Sequence, residues 1–347
     1  MPFPNVNEEG AAGVAVCSVC IANFNGEGML DDCIESVLGQ AVGLPIEVIV
    51  HDDASTDGSL AMLAARYPSV RVIASQENVG FCVANNRMAQ QAGGEYLLLL
   101  NNDAALGTGA LYAFLSEAAR IGNGIFTLPQ YDWETGAVVD RGCLLDLFCN
   151  PIPNMDLNRA DVAYVLGACL WIPRRIWLEF GGFPEWFGSL AEDMHLCCVA
   201  RLRDIPVRCI SGSYYRHRQG ASFGGGRINA GRLKTTYRRR FLSERNKTAS
   251  MVVCMPTALV WVLLAVHIVL LLVEGVVMSL LRRDARIWSS IYGPALAYAC
   301  CAPFALRQRR REMQITRRVS LRTYLRVITW VPRKLSLLLR HGVPEIR

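Results

Sequence analysis

Residues 1–13 have neither the basic segment nor the apolar core of a secretory signal, so the chain is expected on the cytoplasmic side of the membrane. Cysteine is abundant, at 13 residues, but metal-like spacing is scarce: Cys17-x-x-Cys20 is the single such pair. Residues three apart on a strand face opposite sides, which argues against zinc or a redox dithiol there. The other thiols, scattered through apolar runs, suit buried positions in a reducing compartment. No internal repeat occurs, which excludes a solenoid or propeller. Acidic residues almost vanish from the C-terminal third. Residues 231–347 carry 22 basic and 5 acidic side chains, a net of +17, whereas residues 1–230 carry 14 and 25, a net of −11. This asymmetry points to two tasks, the second at an anionic surface.

At 347 residues the chain can bury a large core, enough for a main domain and an appendage. Hydrophobic residues make up 52% and mean hydropathy is +0.23, high for a purely soluble protein. The front alternates strand and helix patterns. Strands are expected over 14–22, 46–50, 70–74 and 96–100, and helices over 30–38, up to about Arg66, over 80–91 and over 108–120. Such βα repeats imply right-handed crossovers and a mainly parallel sheet. Residues 121–231 are less periodic, with a helix expected over 192–203 and a flexible Gly-rich loop at 224–226. A basic run over 232–247 precedes two apolar stretches, 251–281 and 289–306, and the Arg-rich remainder has amphipathic helical spacing.

The run Tyr96-Leu-Leu-Leu-Leu-Asn-Asn-Asp103 stops abruptly on polar residues. It reads as a buried parallel strand that delivers Asp103 to the sheet edge where open α/β folds bind ligands. A carboxylate beside a dry strand is costly unless paired. A lightly held Mg²⁺ or Mn²⁺, completed by phosphate oxygens and water, would pair it. Asp52-Asp-Ala-Ser-Thr-Asp-Gly58 ends the second strand in the same way. Capping alone explains part of it, and recognition of a ribose or base is the alternative. Glu192 and Asp193 open a helix, where acids also favour the helix dipole; as chemistry, an ionised carboxylate there can take a proton from an attacking hydroxyl. Arg216-His217-Arg218 is either a basic loop or a metal and diphosphate partner.

Taken in order, these segments resemble the family 2 glycosyltransferases, and among them bacterial rhamnosyltransferase-like enzymes. Ser18-Val-Cys-Ile-Ala-Asn-Phe-Asn25 is similar to the family's opening strand and loop, and Asp52 to Ser59 to its nucleotide-binding turn. Glu77-Asn-Val-Gly-Phe-Cys-Val-Ala-Asn-Asn86, Leu100-Asn-Asn-Asp103, Val165-Leu-Gly-Ala168, Gly181-Gly-Phe183 and Glu192-Asp-Met-His-Leu196 follow at the family's spacing. The resemblance spans about residues 14–223. It implies a GT-A fold for residues 14–231, after a tail at 1–13 and before a basic, apolar, helical membrane-associating region at 232–347. It also implies inverting transfer of a sugar from a nucleotide-diphosphate sugar, with dTDP-rhamnose as the donor suggested. The acceptor would be a hydroxyl of a glycan or lipid-linked saccharide, with no nucleic-acid partner. Carried over, Asn23, Asp52, Asp53, Asn78, Gly80 and Asn102 would surround the nucleotide sugar. Asp103 would bind Mg²⁺ or Mn²⁺, with His217 as second ligand. Asp193 would be the base, beside Glu192. Two positions depart from many relatives, which have Asp where this chain has Asn101 and His195.

Two rival functions remain at this level. A nucleotidyltransferase would ordinarily carry a Gly-rich basic loop after the first strand, unlike Asn23-Phe-Asn-Gly26. A catalytically inactive GT-A-like scaffold would not need Asp103, Asp193 and His217. Residues 251–273 are long enough to cross a bilayer. However, Arg238 to Lys247 before the stretch and Arg282, Arg283 and Arg286 after it conflict with the positive-inside preference. The expectation is therefore a peripheral protein, its helices lying on an anionic cytoplasmic membrane face; one or two spans are the alternative.

Overall fold

The computed structural model describes residues 15–41, 43–218, 228–229, 232–343 and 345–346. The expected tail and the loop at 224–226 lie outside the described residues. Strand and helix alternate first: β1 (Cys17–Asn23), α1 (Glu27–Leu38), β2 (Ile46–Asp52), α2 (Ser59–Arg66), β3 (Arg71–Ala74), α3 (Phe81–Gln91) and β4 (Tyr96–Asn101). Next come β5 (Ala104–Leu106), α4 (Ala110–Ile121) and the short strands β6 (Ile125–Thr127), β7 (Gln130–Asp132), β8 (Val138–Asp140), β9 (Cys143–Asp146) and β10 (Pro151–Pro153). Then β11 (Cys169–Pro173), α5 (Arg174–Phe180), α6 (Glu192–Leu202), β12 (Val207–Cys209) and β13 (Tyr215–His217) complete the α/β part.

Seven strands form the central sheet in the order β12-β6-β11-β4-β1-β2-β3. Strand β1 pairs in parallel with β2 and β4, and β2 with β3. Strand β11 is antiparallel to both β4 and β6. The sheet is thus mixed, parallel through the half that βα crossovers build. Alternation sorts each strand's residues into two layers. Val19, Ile21, Leu98 and Leu100 pack on one side with Ile34 of α1 and Phe114 of α4. Cys20, Leu97 and Leu99 pack on the other with Met88 of α3 and Leu196 of α6. Cys17 and Cys20 accordingly lie in different layers, and burial pushes both thiols upward.

The C-terminal helices are α7 (Tyr237–Cys254), α8 (Thr257–Arg282), the single turn α9 (Ala285–Ile287), α10 (Gly293–Ala305), α11 (Arg307–Ile315), α12 (Leu321–Leu325) and α13 (Arg333–His341). The apolar stretch at 251–281 is not one helix. Pro256 cannot donate into a helix interior, so α7 stops at Cys254 and α8 begins beyond the proline. Val252, Val253, Met255 and Leu264 belong to the same core as Leu97 and Leu99. That core therefore runs continuously across position 231. The basic run also turns inward in part. Glu244, 0% exposed, meets Lys247 at 2.7 Å, Lys334 at 2.8 Å and Arg240 at 3.3 Å. Burial alone would raise its pKa, but these three cations hold Glu244 well below the carboxylate range.

Candidate active site

The site grows from the carboxyl ends of β1, β2 and β4. Register sets Asn23 opposite Asp52, and Ala22 opposite Asn101. Asn23 Nδ2 donates to Asp52 Oδ2 at 2.9 Å, and Asn102 Nδ2 donates to Asn23 Oδ1 at 2.8 Å. Asp52 Oδ1 also accepts the Ser55 N–H at 3.0 Å. Asp52 is thus consumed in fixing the strand ends. Asp53 instead accepts the N–H groups of Val79 and Gly80, both at 2.8 Å. Gly80 has φ +86°, which favours glycine there. Asn78 is exposed in the turn before it.

Asp103 is 2% exposed and receives His217 Nε2 at 3.0 Å. The pairing of β13 with β5 brings them together, since His217 lies opposite Ala104. His217 Nδ1 is buried with no hydrogen-bond partner. Asp140, pushed up to about 6 chiefly by burial, contributes negative potential toward the same imidazole. No group of three or more His, Cys, Asp or Glu that could hold a metal occurs among the described residues. One carboxylate and one imidazole nevertheless fit a hard cation that keeps most of its shell for water and phosphate.

Glu192 and Asp193 stand in the first turn of α6. Asp193 accepts the Gly167 N–H at 3.0 Å and the Met194 N–H at 2.7 Å. Glu192 is buried, and its Oε2 has no hydrogen-bond partner. Burial, then the neighbouring Asp193 charge, push Glu192 up to about 8, while burial raises Asp193 from the ordinary carboxylate value. Hydrogen bonds to an ionised carboxylate favour that form, so the Gly167 and Met194 N–H groups oppose the rise at Asp193. His195 turns away from this turn toward Ser250 Oγ, 3.3 Å distant on α7, and burial drives its pKa down to about 4.

Short contacts join these groups. Asn101 N–H donates to the Ala168 carbonyl at 3.1 Å, one residue from the Gly167 that holds Asp193. A Cβ on Gly167 would stand 3.4 Å from the Phe81 ring, next to the Gly80 held by Asp53. Asn23, Asp52, Asp53, Gly80, Asn102, Asp103, Asp193 and His217 thus cluster at one end of the sheet. Sequence reasoning missed Asn86, whose amide brackets Phe183 with two 2.9 Å bonds. It also missed Asp140, which lies in a stretch without a readable period. A cavity of about 630 Å³ lies elsewhere, lined by Tyr112, Arg120, Arg141 and Arg208 among others.

The Glycosyl transferase family 2 profile matches residues 18–169, which hold the β1, β2 and β4 ends just described. This segment is a glycosyl transferase family 2 domain. The chain is 26% identical over 190 residues to the N-acetylglucosaminyl-diphospho-decaprenol L-rhamnosyltransferase of Mycobacterium tuberculosis, covering 46% of this chain and 62% of that protein. It therefore spans less than two thirds of that relative. It is 30% identical over 155 residues to the poly(ribitol-phosphate) beta-glucosyltransferase of Bacillus spizizenii, covering 43% of this chain and 24% of the relative. In structure it resembles S. aureus TarS in complex with UDP, with TM-score 0.52, 16% identity, and 86% and 90% of the two chains covered. It also resembles the mannosyltransferase PcManGT of Pyrobaculum calidifontis in complex with GDP-Man and Mn²⁺, with TM-score 0.51, 15% identity, and 84% and 75% covered. The family 2 domain has the GT-A fold.

Proposed function

We propose that this protein transfers a sugar, with inversion, from a nucleotide-diphosphate sugar to a hydroxyl of a lipid-linked saccharide. The observation that carries this reading is Asp193. It is a partly exposed carboxylate that accepts two backbone N–H groups, at the sheet end that also carries Asp53 and Asp103. The Asn23–Asp52–Asn102 lattice and the Gly80 turn would bind the nucleoside. Asp193 takes the acceptor proton as the hydroxyl attacks the anomeric carbon from the face opposite the diphosphate. Asp103 and His217 would hold Mg²⁺ or Mn²⁺. That ion, when bound, would supply charge stabilisation to the departing diphosphate. A single displacement needs one base and one clamp, and no covalent enzyme intermediate. The name of the mycobacterial L-rhamnosyltransferase points to a diphospho-lipid acceptor, and with dTDP-rhamnose, the donor the sequence resemblance suggests, it gives the first pair to test.

Membrane attachment is part of the proposal. Helix α8 contains a segment, Leu259–Arg282, long and apolar enough to cross a bilayer. Yet Val260, Leu264, Leu271 and Met278, spaced along its whole length, are buried, and Glu274 meets Arg240 and Lys334 at 2.5 Å each. One face thus lies against the protein from end to end. The opposite face exposes Val262, Val269, Val273, Val277 and Leu281. Such a helix suits the plane of a cytoplasmic membrane interface, with apolar burial and nearby arginines supplying the attraction. A panel of nucleotide sugars, incubated with Mg²⁺ or Mn²⁺ and a lipid-diphosphate saccharide, tests the function. Metal-dependent transfer from one donor is expected; no transfer or hydrolysis from any would overturn it.

A further inference from the structure

The segment leading into the Glu192–Asp193 turn is bent against its own preferences. Gly188, Leu190 and Ala191 have φ of +71°, +73° and +65°, a region costly for the two residues that carry a Cβ. Ala191 is also the cap residue of α6 and sets the direction in which the carboxylates leave the turn. Something outside the loop must hold it. Helix α7 does so with two adjacent side chains. Asn246 Nδ2 donates to the carbonyls of Leu190 at 2.8 Å, Ser189 at 3.0 Å and Phe187 at 3.2 Å. The Arg245 guanidinium donates to the carbonyls of Phe187 at 2.9 Å and Trp186 at 3.0 Å. It also donates to Asn246 Oδ1 at 2.8 Å, fixing which way that amide points. Asn246 is 0% exposed, so no water replaces these bonds if they are lost.

From the nucleotide side, Asn86 brackets the same loop at Phe183, and a Cβ on Gly80 would lie 3.7 Å from the Gly188 carbonyl. The loop therefore lies between the donor half and the C-terminal helices, and its strained turn is held at both ends. We infer that Asn246 and Arg245 are positioning residues for sugar transfer, acting through the carbonyls of residues 186–190 to aim Asp193 at the acceptor hydroxyl. This rests on the reading of Asp193 as the base. It also gives α7, outside the family 2 segment, a part in catalysis besides packing.

The test uses the full chain and the donor–acceptor pair that supports transfer. Asn246→Leu keeps the shape and removes both donors without adding a charge. It is expected to lower kcat by about 10- to 100-fold, the scale of a misplaced catalytic group, while donor affinity by nucleotide titration changes less than about threefold. The acid limb of kcat against pH should also move to lower pH, as water reaches the loosened carboxylates. A purely structural role would move nucleotide affinity and thermal stability along with kcat, and would leave the limb in place. Arg245→Lys, which loses the fork but keeps the charge, should give a smaller loss in the same pattern; it carries the test alone if Asn246→Leu does not fold. A kcat within twofold of the parent, or equal losses in kcat and donor affinity, overturns the inference. Asp193→Asn assayed alongside separates the two claims. If it keeps full turnover, the base assignment fails; if it is inactive while the α7 variants are normal, only the positioning role fails.

Discussion

Asp193 and Glu192 are adjacent in the chain, yet opposite roles follow from what faces each. Two backbone N–H groups meet Asp193, whereas Glu192 Oε2 meets no hydrogen-bond donor. Asp193→Asn should therefore remove transfer, by about 10²–10⁴-fold or more, with nucleotide binding retained in a titration. Burial pushes Glu192 up to about 8, so Glu192→Gln, which mimics the protonated acid, should stay within a few-fold of the parent. Equal losses in the two variants would overturn the assignment of the proton. His195 makes a separate prediction for stability. Its folded pKa of about 4 lies below the ordinary 6.5. Above pH 6.5 the ring is neutral in both folded and unfolded chains; below it, the unfolded chain takes up a proton that the folded one refuses. Stability from His195 is thus full above pH 6.5 and drains away as pH falls toward 4. Glu192 acts in the opposite sense, its contribution declining as pH climbs from 4.5 toward 8. Denaturant titrations of the parent and His195→Gln should show the parent's advantage shrinking below pH 6.5.

At the scale of elements, the nucleotide end depends on how closely α1 approaches β1 and β4. A Cβ on Gly26, just before α1, would stand 2.2 Å from both Asn102 Nδ2 and Asn23 Oδ1, breaking the bond between them. Gly26→Ala should weaken donor binding by about tenfold in a nucleotide titration, roughly 1.4 kcal/mol, while circular dichroism stays native. An unchanged affinity would remove this lattice from the nucleotide site. These strand ends were readable because β1, β2 and β4 are apolar runs that stop on polar residues, a local signal. Strand β11 was not, because Cys169–Pro173 has no period and its antiparallel place between β4 and β6 is set by pairing alone. The inward turn of the basic run before α8 is only half legible, because Glu244 lies within the run but Glu274 lies 34 residues from Arg240. The Asn246 clamp was invisible for a similar reason. An Asn within a helix gives no hint that three carbonyls from a loop 56 to 59 residues earlier converge on it.

For the whole molecule, the question is how an acidic N-terminal part would reach the lipid-linked acceptor proposed above. Exposed apolar side chains concentrate in the C-terminal region, on Trp330, Val331, Leu335, Leu338 and Leu339 as well as on the outer face of α8. Arg283, Arg286, Arg307, Arg311 and Arg318 of the same C-terminal region are exposed as well. A bilayer containing anionic lipid complements both features, at about 1 kcal/mol per basic residue near the surface plus the apolar area removed from water. The full chain should sediment with anionic vesicles and much less with neutral ones. Raised salt should release only part of it, since salt screens the charges and leaves the apolar term. Replacing Trp330 and Leu339 with Ser should lower the bound fraction severalfold, while transfer to a short-chain soluble acceptor persists, because neither side chain belongs to the sheet-end cluster. A spanning α8 predicts otherwise: the chain would stay in the pellet through alkaline carbonate washing, and the double replacement would not loosen it. Carbonate release together with sensitivity to Trp330 and Leu339 would fix α8 in the plane of the interface, with α7 tying that surface to the loop before Asp193.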